Sequence, residues 1–282
     1  MTIRYFELEH GQLAVDIQGE GPLVICAPAM GDLRNAYTQL ASLLVAAGYT
    51  VACLDNRGHG DSSTDFDRYG DEAAAADFLA LIQEINLGPA ILIGVSFTAA
   101  AATIAAGRRP DLCKGLVLLG PFLRNSMGSA GKYILAALVA RPWGPIVWKA
   151  YSRSLWPGLG EDKCKERAEE LIKSQTRPGR WTAFQKTVSG ADHAVVGPWL
   201  EKAKDVPVLV VMGDKDPDWS NPLDEAEWVA SNFSTAKVVA VGNAGHAPHL
   251  ECPEVVGEAV MDFLASVHSS GQAVGTSREH EG

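Results

Sequence analysis

The chain has 282 residues, 47% of them hydrophobic and 21% charged, a mixture that excludes a disordered tail protein and allows a large core. Lys and Arg number 24 against 34 Asp and Glu, a formal charge of −10, which argues against a nucleic-acid partner because such a partner needs a basic footprint. Every apolar run is shorter than the ~18 residues of a membrane span, so no membrane partner is expected.

In chain order, Ile3-Arg4-Tyr5-Phe6-Glu7-Leu8 and Gln12-Leu13-Ala14-Val15-Asp16-Ile17 alternate at period two and predict strands joined near His10-Gly11. The N-terminus lacks a charged stretch followed by an apolar core and a small-residue cleavage site, so a soluble, non-secreted, cytoplasmic protein is expected. Leu23-Val24-Ile25-Cys26-Ala27 is a continuous apolar run, the pattern of a strand buried on both faces. A helix from about Asn35 to Ala47 stops at Gly48, and Thr50 to Leu54 is the next buried strand. The alternation continues with a helix from Asp71 to Asn86, strand Ala90 to Gly94, a helix from Phe97 to Arg108 and strand Gly115 to Leu119.

From Pro121 to Leu200 the alternation stops. Helical pieces are predicted over Lys132 to Val139, Gly144 to Ser154, Glu161 to Ser174 and Arg180 to Val188, as an insertion between two strands. It holds 12 Lys/Arg against 6 Asp/Glu and five of the seven tryptophans, Trp143, Trp148, Trp156, Trp181 and Trp199. Two readings stay open. Amphipathic helices carry solvated basic faces and pack on Trp; alternatively, a basic, aromatic-lined lid draws in an apolar, anionic substrate.

The pattern then resumes with strand Val208 to Met212, a helix from Asp224 to Asn232, strand Ala236 to Val241 and a helix from Glu254 to Val267. The fold class is therefore α/β: an eight-stranded, mostly parallel sheet flanked by helices. Residues 1–120 and 201–268 form the core, 121–200 a helical lid, and 269–282 a polar tail expected to be disordered. Five cysteines, Cys26, Cys53, Cys113, Cys164 and Cys252, have no CxxC spacing and are expected as reduced, mostly buried thiols. No metal cluster, phosphate loop or cofactor site is visible.

Chemistry is suggested where apolar strands end. Gly94-Val95-Ser96-Phe97-Thr98 joins a strand to an Ala-rich helix, and a serine in so sharp a turn is pushed out of the sheet top. The alternative is a helix N-cap serine. Met212-Gly213-Asp214-Lys215-Asp216-Pro217-Asp218 follows a second apolar strand, and Asn243-Ala244-Gly245-His246-Ala247-Pro248-His249 a third. A serine, an acid and a histidine thus sit at strand C-terminal ends, where parallel sheets build their sites.

With these motifs, and with Leu54-Asp55-Asn56-Arg57-Gly58-His59-Gly60-Asp61-Ser62 after the fourth strand, the chain resembles the α/β-hydrolase fold superfamily from about residue 3 to 267. The resemblance implies a catalytic triad of Ser96 as nucleophile, His246 as base and Asp216 as its orienting acid, with Asp214 and Asp218 as rival acids and His249 as a rival base. It implies an oxyanion hole of the Phe97 and Met30 backbone N–H groups. Thr98 stands where the family's nucleophile motif has a second Gly, and Pro28-Ala29 where it often has His-Gly. Asp32 and Arg34 read as surface loop charges, with substrate contact the alternative, and His59 as structural. Trp143, Trp148, Trp181 and His193 are candidate substrate contacts. The expected activity is hydrolysis of a carboxylic ester or lactone of a small apolar or aromatic substrate through an acyl-serine, without a cofactor. Carbon–carbon bond hydrolysis, a lyase or cyclase activity on the same triad, and a non-catalytic ligand sensor are the alternatives. The small-molecule substrate is the expected partner, and the lid helices offer a face for a homodimer.

Overall fold

The computed structural model describes residues 3–126 and 131–275. Strand β1 (Ile3–Leu8) forms an antiparallel hairpin with β2 (Gly11–Gln18), and β2 runs antiparallel to β4 (Thr50–Leu54). Every later pairing is parallel, and β3 (Leu23–Ala27), β5 (Ala90–Val95), β6 (Cys113–Leu119), β7 (Val208–Gly213) and β8 (Ala236–Val241) complete the spatial order β1-β2-β4-β3-β5-β6-β7-β8. All residues of β3, β4, β5 and β7 are buried, which is why they read as unbroken apolar runs. The edge strand β8 buries only Val241 fully.

Alternate strand residues feed two cores. On one face Ile25, Leu54, Leu92, Leu118 and Val210 pack under α2 (Asp71–Ile85) and α3 (Phe97–Arg108). On the other, Val24, Val51, Ile93, Val117 and Leu209 pack under α1 (Thr38–Ala46) and the last helix, which starts at Pro253. The alanines of α3 let it lie close against its neighbours. At Gly107 a Cβ would stand 2.7 Å from the Trp199 carbonyl oxygen.

Between β6 and β7 the chain is helical: α4 (Gly131–Leu138), α5 (Gly144–Ser154), α6 (Glu161–Gln175), α7 (Arg180–Gly190) and α8 (Gly197–Ala203). The expected helices fall within a few residues of these bounds. The expected boundary at residue 200 cuts α8, which packs on α3 and belongs with the sheet's helices. Beyond β7 come α9 (Pro222–Ala230), the short α10 (Pro248–Glu251) and α11 (Pro253–Gly275). The final helix continues past Val267, so the start of the expected disordered tail is helical; Gln272 and Ala273 are good helix formers and Gly271 alone does not stop it. The rest of that tail, 276–282, lies outside the described residues. Among the described residues no helix is long and apolar enough to cross a membrane. All five cysteines are free, and four are buried.

The turn after β4 is a buried ionic knot. Asp55, fully buried, accepts hydrogen bonds from the Arg34 amide at 2.8 Å and the Asp61 amide at 2.9 Å, and pairs with the Arg34 guanidinium. Arg34 also reaches Asp61 at 3.0 Å and Asp16 at 3.2 Å. Burial opposes the charge of Arg34, but Asp55 and its neighbours outweigh it and hold the guanidinium protonated. Gly60 has φ +49°, and a Cβ there would overlap the Asp55 carboxylate, which accounts for this glycine in the Gly58-His59-Gly60 string. Asp32 is also buried and paired with Arg167. The expectation of surface charges at Asp32 and Arg34 is thus corrected: Asp32 is buried, Arg34 is half-buried, and both are paired. Arg34→Met is expected to lower unfolding stability by about 3–5 kcal/mol, because it strands a buried carboxylate; urea melts at pH 7 measure this.

Candidate active site

The junction of β5 and α3 sets the site. Residues 90–107 are all buried except Ser96. Ser96 has φ 60° and ψ −123°, a backbone region L-residues avoid at a cost of about 1–3 kcal/mol. Its amide donates to the Leu119 carbonyl at 3.0 Å, and its own carbonyl accepts from the Phe122 amide at 3.3 Å. The ends of β5 and β6 therefore hold the strained residue from both sides. Gly94 is required two residues earlier, since a Cβ there would lie 2.3 Å from the Thr98 carbonyl oxygen.

Thr98 fits where the family pattern has glycine because its side chain turns away from the serine. Its hydroxyl accepts the Val95 N–H at 2.8 Å and lies 2.9 Å from the Ala27 carbonyl oxygen. The loop after β3 is pinned further by Tyr37, whose hydroxyl donates to Ala27 O at 2.8 Å, and by Asn56, whose amide donates to Pro28 O at 2.9 Å. The Gly31 N–H donates to His59 Nε2 at 3.2 Å, and His59 Nδ1 lies 2.9 Å from the Arg57 carbonyl oxygen. Accepting at Nε2 makes His59 a neutral imidazole with its proton on Nδ1; burial lowers its pKa in agreement. These bonds fix the backbone on both sides of Met30. Among the described residues, neither the Met30 nor the Phe97 N–H donates to a protein acceptor.

At the ends of β7 and β8, His246 Nδ1 lies 2.8 Å from Asp216 Oδ2 and 3.4 Å from Asp218 Oδ2. Of the three candidate acids, Asp216 is set against the imidazole, and its other oxygen accepts the Asp218 amide at 3.0 Å. Asp214 instead accepts the Asn243 amide at 2.7 Å and holds the loop from below. Burial alone would lower the His246 pKa, but Asp216, then Asp218, raise it to about 9. With Nδ1 facing the carboxylates, Nε2 is the nitrogen available for another group. Gly120, φ +46°, gives the pair room: a Cβ there would be 3.3 Å from Asp216 Oδ2 and 3.4 Å from His246 Nδ1. Asp216, Asp218 and His246 are also the groups whose ligand atoms could gather round a metal ion; here His246 Nδ1 is instead hydrogen-bonded to Asp216 Oδ2.

Phe122 bridges the two halves. Bonded to Ser96 through its backbone, it sets its ring 5.8 Å from that of His246, 4.7 Å from Trp219 and 5.4 Å from His193. His193 is held by Asp71 at 2.7 Å. Neither Phe122 nor Trp219 was expected from the sequence; the usable signal was their place just after β6 and β7, at the sheet end that carries the serine and histidine.

The other candidate contacts fall differently. Trp148 is buried over the loop after β3, its indole 2.8 Å from where a Gly31 Cβ would be. Trp181 is interior to the insertion, packed on Phe184 and donating to the Val139 carbonyl at 3.1 Å. Trp143 is 52% exposed and donates to Ala137 O on the outer side of the insertion. Trp143 and Trp181 are thus not brought to the serine–histidine cluster, because the insertion needs its own core and edge. Its basic charge also has a structural use. Arg124 pairs with Glu225 at 2.5 Å, Arg167 with Asp32 and Arg177 with Asp61, while Arg180 donates to the His59 and Ser62 carbonyls. The insertion is therefore laid on an acidic core by a seam of arginines.

His249, the rival base, stacks on Tyr37 at 4.6 Å, is buried, and has no partner for either ring nitrogen among the described residues. Burial lowers its pKa from 6.5 to about 3. The stability its neutral form allows is complete above pH 6.5 and is lost as pH falls toward 3, because the unfolded chain then takes up a proton that the native state refuses. The slope approaches about 1.4 kcal/mol per pH unit. His249→Phe should flatten the decline of stability between pH 6.5 and 4.5, as read by urea melts at stepped pH.

The alpha/beta hydrolase family model matches residues 24–259. Among curated proteins the chain is similar to 3-oxoadipate enol-lactonase 2 of Acinetobacter baylyi, 24% identical over 247 residues that cover 86% of this chain and 88% of that one. It is also similar to pimeloyl-(acyl-carrier protein) methyl ester esterase of Neisseria meningitidis, 27% identical over 242 residues, covering 84% of this chain and 91% of that one. A solved esterase from Thermogutta terrifontis shares the fold, with a TM-score of 0.78 at 23% identity over 94% of this chain and 99% of that one. With a family model that takes in the sheet from β3 onward and both loops bearing the acid and the histidine, the chain belongs to the alpha/beta hydrolase family.

Proposed function

We propose that this protein hydrolyses a carboxylic ester or lactone of a small apolar or aromatic substrate through an acyl-enzyme on Ser96. The observation that carries the reading is Ser96 itself: strained, and the one accessible residue in 90–107. It stands at the sheet end that also bears the Asp216–His246 pair. A serine hydroxyl is a weak nucleophile without a base. His246 Nε2 would take the Oγ proton as Oγ attacks the acyl carbon, then give it to the departing alkoxide. Water would repeat the cycle and release the acid. Asp216 fixes the imidazole tautomer and stabilises the imidazolium, while the Met30 and Phe97 N–H groups receive the developing oxyanion. The ring cluster of Phe122 and Trp219 favours apolar or aromatic acyl groups. The insertion would act as the cap, and relatives named as an enol-lactonase and a methyl ester esterase support the reaction class.

The test is labelling by a fluorophosphonate probe together with turnover of p-nitrophenyl esters of rising chain length. Both are expected in the wild type and lost in His246→Ala. Because the base must be neutral to act, kcat/KM should climb through an apparent pKa of about 9. Ligand binding without labelling or turnover would replace this reading with that of a sensor.

A further inference from the structure

The insertion reaches the histidine as well as the loop after β3. Tyr151 on α5 donates its hydroxyl to Asp218 Oδ1 at 2.5 Å, and the other oxygen of that carboxylate is the one 3.4 Å from His246 Nδ1. Asp218 is further tied to the acid loop by its amide, which donates to Asp216. The imidazole therefore faces two carboxylates where a triad needs one, and the second is held from across the domain seam by a phenol. The Tyr151 ring packs on Trp148 at 5.3 Å, and Trp148 covers Gly31, so a single helix touches both halves of the site.

We propose that Tyr151 is a positioning residue which, acting through Asp218, moderates how strongly His246 holds its proton and so couples the seating of α5 to the strength of the base. Two carboxylates on one imidazolium overstabilise the charged form, and a base that stays protonated cannot accept from a serine. A hydroxyl donated to the second carboxylate opposes this in two ways. Its dipole offsets part of the negative charge, and its bond keeps the carboxylate from closing onto Nδ1. Burial and the facing Asp218 charge hold the phenol proton on, so Tyr151 remains a donor.

The remaining groups near the imidazole are already engaged. Glu251 on α10 accepts the Gly245, Ala247 and Gly158 amides. His249 is kept neutral by burial, Arg167 on α6 pairs with Asp32 and Glu170, and His193, beyond Phe122, is held by Asp71.

The catalytic consequence rests on the hydrolase reading, but the titration does not. The experiment is an NMR titration of the His246 ring in the wild type, Tyr151→Phe, Asp218→Asn and the double variant, beside pH profiles of kcat/KM on p-nitrophenyl acetate. Tyr151→Phe should move the His246 pKa up by ~0.5 unit and Asp218→Asn should move it down by ~1 unit. The double variant should match Asp218→Asn alone, since the phenol acts only through that carboxylate. The acid limb of kcat/KM should follow the same three shifts. Shifts of the same sign in both single variants, no shift in Tyr151→Phe, or a Tyr151→Phe shift that persists without Asp218 would each overturn the proposal. Opposed shifts in a protein without turnover would support the Tyr151 link and sink the hydrolase reading instead.

Discussion

Ser96→Ala is expected to lower kcat on p-nitrophenyl esters by about 10⁴–10⁶-fold and to abolish the fluorophosphonate adduct seen by intact-mass spectrometry. The size of the effect follows from the local structure. Residues 90–107 offer no other accessible side chain, so no neighbour on this turn can take over the attack. Alanine keeps the backbone at φ 60°, and the Leu119 and Phe122 hydrogen bonds are made by backbone atoms that the substitution leaves in place. The fold and KM should therefore change little. Retention of more than about a hundredth of the wild-type kcat would mean that the reaction does not pass through an acyl-serine.

Asp216→Asn is expected to cost about 10⁴-fold in kcat. An amide can donate to the bare Nδ1 and thereby favours the tautomer with its proton on Nε2, where it blocks acceptance from Ser96. Asp214→Asn should stay within a few-fold of wild type, because that side chain accepts a single backbone amide, from Asn243, and does not touch His246. If the two variants ranked the other way in single-turnover kinetics, the acid would have to be reassigned.

The sheet was legible from sequence for a physical reason. Strands buried on both faces are built almost wholly of apolar residues, so Leu23–Ala27 and Thr50–Leu54 announce themselves with their correct ends. The serine and the acid were legible because each follows such a strand, and the histidine because it lies in the loop after β8. Helix ends were less so. Pro248–Glu251 is too short to show a period, and the extension of the last helix to Gly275 depends on residues that tolerate a helix without demanding one. What could not be read was anything set by contact across the seam. Tryptophans at 143, 148 and 181 share a composition signal, yet one faces solvent, one covers Gly31 and one fills the insertion's interior. Asp32 and Arg34 look like loop charges until the fold pairs each with a partner more than twenty residues away.

The arginine seam limits how far the two parts of the molecule can be exchanged. A segment spanning α4 to α7 borrowed from a relative would leave buried Asp32 without the Arg167 guanidinium that neutralises it here. Uncompensated interior carboxylates cost several kcal/mol each, comparable to the whole stability of many domains. Grafts that swap α4 to α7 alone should misfold or lose their seating, whereas grafts that also replace Asp32 with the donor's residue keep the interface neutral. The helical insertion and the scaffold beneath it must therefore change together.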